Sequence, residues 1–93
     1  MIKSFGDSRT EKIYHGDRAK GFPPELLAVA FRKLDMLRRA ADLQDLRVPP
    51  GNRLEALKGD LKGFHSIRLN DQWRIIFRWQ RGDAEDVRII DYH

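Results

Sequence analysis

The sequence contains no cysteine. Disulfide staples and thiolate metal sites are therefore excluded, and stability must come from a packed core. No apolar run is long enough to span a bilayer. The opening "MIKSFGDSRTEK" lacks the hydrophobic stretch of a signal peptide, so a soluble, cytoplasmic protein without membrane contact is expected. No glycine-rich phosphate loop is present, because Gly51, Gly59 and Gly63 lack the strand-loop-helix setting such a loop requires. Ser4, Ser8 and Ser66 are the only serines, and none sits in a nucleophile elbow. The histidines are His15, His65 and His93, with no pair at helical i, i+4 spacing, so no metal centre is expected.

What the chain does have is charge, and unevenly. Eighteen Lys and Arg face fourteen Asp and Glu over 93 residues, a net of +4. Residues 47–81 carry eight basic and three acidic residues, whereas residues 82–93 carry one basic and four acidic. A basic middle segment in a small domain points to a polyanionic partner such as RNA or DNA, or simply to a solvated surface. The length fits one domain over residues 1–93.

The spacing of apolar residues predicts an α+β domain in the order β-α-α-β-β-β. "MIKSF" reads as an opening strand anchored by Ile2 and Phe5. Ser8 followed by Glu11 has the form of a capping box, and Gly16 marks the stop of a short helix. Pro23-Pro24 opens a second helix, in which Leu26, Ala30, Leu34, Leu37 and Ala41 form one stripe that Leu27 and Phe31 widen. Residues 42–63 form a long connector broken by Pro49, Pro50 and Gly51, with Leu46, Leu54 and Leu57 pinning it to the core. Three strands follow: "FHSIRLN", "QWRIIFRW" and "VRIIDYH". Turns fall at "DQ" and around Gly82-Asp83. Along the middle strand Trp73, Ile75, Phe77 and Trp79 make a buried face, while Arg74, Ile76, Arg78 and Gln80 face the other way. Both helices should cover one face of a largely antiparallel sheet, leaving a basic face opposite.

These residues supply the parts of metal-free RNA cleavage. There the ribose 2′-oxygen attacks the adjacent phosphorus, so the protein needs only a base, an acid and cations for the phosphorane. Histidine near its ordinary pKa suits proton transfer. The planar arginine fork matches two phosphate oxygens at once. Arg74 and Arg78 lie on the open face, with Tyr92 and His93 at its end. Each also has a purely structural reading: solvated strand arginines, core tryptophans, a hydrogen-bonded His65, a turn lysine at Lys58.

The segments "NRLEALKGD", "HSIRLNDQWRIIFRW" and "IIDYH", with the "MIKSF" start, resemble the HigB group of toxins from bacterial toxin–antitoxin modules, within the RelE/ParE superfamily. The wording "PPGNRLEAL" and "NDQWR" is most similar to the GraT-like branch, and the likeness runs nearly end to end. The resemblance implies a RelE-like α+β fold and ribosome-dependent, metal-free mRNA cleavage by a toxin that inhibits translation, with no cofactor. It also implies a HigA-type helix-turn-helix antitoxin as partner, the 70S ribosome and mRNA as targets, and operator DNA bound only through the toxin–antitoxin complex. Asp91, Tyr92 and His93 match the family's active-site motif, Lys58 matches a basic residue of the site, and Arg74 matches the arginine that holds the scissile phosphate. Glu55 stands where some HigB proteins carry a histidine. Either Glu55 accepts the proton, or His65 or His93 does so, or position 55 is not catalytic. The working assignment gives proton transfer to His93. Arg47, Arg53, Lys62, Arg68 and Arg78 of the basic segment are expected to contact RNA or the ribosome. Two other functions fit the same fold: gyrase inhibition of the ParE type, and nucleic-acid binding without catalysis.

Overall fold

Alternating apolar and polar residues in the last third of the chain build the sheet, as period-2 patterning requires. The computed structural model describes residues 1–92. Strands β2 (His65–Arg68), β3 (Trp73–Gln80) and β4 (Asp83–Asp91) run antiparallel, and β1 (Glu55–Ala56) lies beyond β2, in the order β1-β2-β3-β4. The opening segment lies against β4 through isolated parallel bridges, Ile2 to Ala84 and Phe5 to Val87. The expected first strand thus pairs at its two apolar anchors and shields the β4 edge, without forming a continuous ladder. The β3–β4 connection turns on Arg81 and Gly82, both at positive φ, as two-residue hairpin turns favour. The turn therefore falls one residue earlier than expected, and β4 starts at Asp83 instead of Val87.

Helix α1 (Ser8–Tyr14) is capped by Asp7, not Ser8. Asp7 is extended, and its Oδ1 accepts from the Thr10 amide at 2.8 Å, which makes Ser8 the first helical residue. Helix α2 (Leu27–Arg39) follows a 3-10 turn over Pro24–Leu26. It buries Ala30, Leu34 and Leu37, as the stripe predicts. Leu26 lies in the preceding 3-10 turn, and two further expected members fall outside the stripe. Phe31 is 47% exposed, because it sits a full 100° around from Ala30. Ala41 lies beyond the helix end, since Ala40 is already extended. Lys33 is buried, and its Nζ donates to the Arg68 carbonyl at 2.7 Å. Both helices sit over one face of the sheet, where Ile67, Ile75, Phe77, Val87 and Ile89 complete the main core.

The connector departs most from expectation. It contains 3-10 turns at Leu43–Arg47, Pro50–Asn52 and Gly59–Leu61, and also strand β1. Leu46 and Leu54 join the main core. Leu57 crosses to the opposite face and forms a second, smaller core with Phe64 and Ile76, flanked by Leu61 and Ile90. The basic face is therefore not bare: Ile76 is only 1% exposed. An isoleucine between two arginines on a solvated face would leave apolar area in water, and the connector covers it.

Candidate functional site

Arg74 is the centre of the second face. The β3 register sets it opposite Arg68 on β2 and Ile90 on β4. Its Nη1 donates to Ser66 Oγ at 2.9 Å and lies 3.1 Å from Glu55 Oε1. Its guanidinium carbon stands 4.8 Å from the centroid of the Tyr92 ring. Ser66 is completely buried. Glu55 pairs with Ser66 across β1–β2, which places its carboxylate on the same face as Arg74. Three strands and the segment after β4 thus converge on one guanidinium. An Arg fork held on one side by neutral and anionic acceptors, with an aromatic ring against it, is pre-organised to receive a phosphate with its other donors.

The end of β4 is fixed by the hairpin before β3. Asp91 pairs with Trp73 and accepts from Gln72 Nε2 at 3.0 Å, and the Tyr92 amide donates to the Gln72 carbonyl at 2.6 Å. Tyr92 is thereby brought beside Arg74. His93, the expected proton-transfer group, lies outside the described residues. Lys58 is exposed at the position before the turn over Gly59–Leu61, three residues after Glu55, and makes no side-chain cap there.

His65 is excluded from this cluster by its face. It pairs with Phe77, its ring stacks on Phe77 at 5.9 Å, and it points to the helix-covered side. Burial lowers its pKa below the ordinary 6.5, which favours the neutral imidazole.

The expected RNA contacts divide. Arg68 is on the Arg74 face and ion-paired with Asp71. Arg78 is on that face too, its Nε 3.4 Å from Asp86 and its guanidinium carbon 4.3 Å from the Phe64 centroid. Arg53, Lys62 and Arg47 are exposed on the connector, with Arg47 hydrogen-bonded to Gln44. Among the described residues, no hydrogen bond or ion pair links these three to Arg74. Ser66 is the member that sequence reading missed. Alternation puts Ser66 on the face of Arg68, but its meeting with Arg74 depends on the β2–β3 register. A cavity of about 420 Å³ lies on the helix side, lined by Ile13, Leu27, Ala28 and Phe31, and does not include this cluster.

Residues 3–93 match the family model described as RelE-like toxin of type II toxin-antitoxin system HigB. The chain belongs to this family. Within the HigB-like toxins, it is 46% identical over 85 residues to Toxin HigB-1 of Vibrio cholerae, covering 90% of each chain. It is 30% identical over 93 residues to the Endoribonuclease HigB of Proteus vulgaris, covering all of both. The fold of this HigB-like toxin is that of YafQ from E. coli, seen in a histidine-to-glutamine mutant of that protein, with a TM-score of 0.61 and 13% identity over 98% of this chain and 93% of the other. It is equally that of YoeB from the YoeB-YefM complex of Staphylococcus aureus, with a TM-score of 0.61 and 15% identity over 100% and 98% of the two chains.

Proposed function

We propose that this protein is the toxin of a type II toxin–antitoxin module and an endoribonuclease that cleaves mRNA on the ribosome, with the cluster around Arg74 as its active site. The observation that carries the reading is the pre-set Arg74 fork beside Tyr92, in a chain whose relatives include a named endoribonuclease. In the reaction the 2′-hydroxyl loses its proton to a base. The 2′-oxygen bonds to phosphorus, and the bond from phosphorus to the 5′-oxygen breaks. An acid then protonates the leaving 5′-oxygen, leaving a 2′,3′-cyclic phosphate and a 5′-hydroxyl.

Arg74 and Lys58 neutralise the phosphorane charge, the term that usually contributes most in such sites. Tyr92 stacks on or orients the nucleotide. Asp91 fixes the strand end that carries Tyr92 and His93. His93 moves the proton. Glu55 serves Arg74 in this scheme, because its carboxylate already lies against that cation. Arg68, Arg78, Arg53, Lys62 and Arg47 contribute attraction to RNA and ribosome without carrying sequence information. The partner that silences the toxin is an antitoxin of HigA type, and the complex of the two binds operator DNA. All of this chemistry takes place in the cytoplasm, where ribosomes and mRNA meet.

The deciding experiment maps mRNA 5′ ends after brief induction, and repeats the digestion in vitro with and without 70S ribosomes. New ends on translated messages, formed only with ribosomes, are expected. Intact transcripts in growth-arrested cells would instead point to gyrase inhibition or to passive nucleic-acid binding.

A further inference from the structure

The arginines of the second face are not equivalent. Arg68 has Asp71, Arg74 has Glu55 and Arg78 has Asp86 as anionic neighbours. Arg88 has neither an ion pair nor a hydrogen bond among the described residues, and its Nε is buried without a partner. A buried guanidinium nitrogen left without an acceptor is costly, so its persistence needs an explanation.

Packing holds Arg88 in this position. Its guanidinium carbon lies 5.7 Å from the Phe64 centroid, and its stem lies over Gly6, where an added Cβ would meet Nε at 2.1 Å. Arg78 reaches the same ring at 4.3 Å, so the two guanidinium carbons are within about 10 Å of each other. Asp86 offsets one of these two charges and leaves the other unmatched. Phe64 itself is 6% exposed, a floor beneath the arginines and not a platform for a base.

Arg88 sits opposite Ile76, and Arg74 opposite Ile90. Arg88 is therefore the diagonal cross-strand neighbour of Arg74 on the same face, with backbone positions about 7–8 Å apart. We propose that Arg88, assisted by Arg78, forms a second anion site that takes a backbone phosphate next to the one held at Arg74. The inference rests on the RNA-cleaving function above and adds a second contact that fixes the strand's path. The alternative is that both stems merely cover Phe64, as long basic side chains do. That accounts for Arg78, which keeps a carboxylate, but not for Arg88, which has no anionic neighbour among the described residues.

The test measures binding of a 2′-O-methyl RNA dodecamer, which resists cleavage, to the full chain across a salt series by fluorescence anisotropy. Arg88→Gln should weaken binding several-fold for every dodecamer sequence and reduce the slope of log K against log salt by about 0.7. Arg88→Lys should keep most of the slope. Gly6→Ala should weaken binding while leaving the charge count unchanged, because it displaces the guanidinium. An unchanged slope in Arg88→Gln, with a melting temperature shifted or not, overturns the site and leaves Arg88 as cover for Phe64. The readout does not depend on catalysis. If the chain cleaves no RNA but the slope still drops, the nuclease assignment fails and this site stands. If cleavage holds and the slope does not move, this site alone fails.

Discussion

Arg74 Nη1 faces two acceptors, Ser66 Oγ at 2.9 Å and Glu55 Oε1 at 3.1 Å, and the Tyr92 ring lies against the guanidinium. At the scale of residues, the proposed mechanism makes Arg74 the side chain whose replacement should cost most. Arg74→Lys keeps the charge but loses the fork, and should lower kcat about 10²-fold, measured as single-turnover cleavage on programmed ribosomes. Glu55→Gln tests the other half of the contact. The amide oxygen still accepts from Arg74, so the loss should stay within about tenfold. A drop equal to that of Arg74→Lys would instead make Glu55 the base. His65 gives a pH prediction. Its folded pKa is lowered by burial, so the unfolded chain binds the proton more readily. Its contribution to stability is complete above the ordinary 6.5 and is lost as the pH falls through the folded value. Urea midpoints should therefore decline below about pH 6.5, and His65→Gln should flatten that decline.

At the scale of elements, the connector matters most. Its Leu57 encloses Ile76 together with Phe64, the residue just before β2, and the Phe64 ring supports Arg78 and Arg88. Phe64→Ala should cost about 3–5 kcal/mol in denaturant unfolding, because the small core cannot refill the space. A cost under about 1 kcal/mol would mean that the connector lies loosely on the sheet. The end of β4 gives a second element-scale test. Deleting residues 91–93 should abolish growth arrest while the remaining chain still melts cooperatively, since Asp91 and Tyr92 make edge contacts to Gln72 and Trp73 and bury little. A folded deletion variant that remained fully toxic would remove the site from this end of the sheet. The helices α1 and α2, the strands β2 and β3 and the second half of β4 are legible in the sequence, because their periods are local; residues 83–86 of β4 read as a turn. The two-residue strand β1 is not. "EA" has no pattern of its own, and becomes a strand only by pairing with Ser66 and His65.

For the whole molecule, family membership brings an antitoxin partner into the energetics. A HigA-type antitoxin that binds only the folded toxin should raise its melting temperature progressively with concentration, as mass action requires. No shift at saturating antitoxin would argue for a partner of another kind. The sequence alone settles the two helices, the order of the strands, the helix-side core and the placing of Arg74 and Arg78 on the other face, since each follows from residue type and spacing along the chain, while the resemblance to HigB toxins singles out Arg74. Only the tertiary structure decides that Asp7 caps α1 in place of Ser8, and that the connector crosses to the second face. It likewise decides that His65 turns away from the site, that Ser66 and Glu55 hold Arg74, and that Arg88 is left without an anion among the described residues. The physical reason is common to all of these. Alternation tells which face a side chain takes, but register and chain crossing are set by burial between segments distant in sequence, and those decide which polar groups meet.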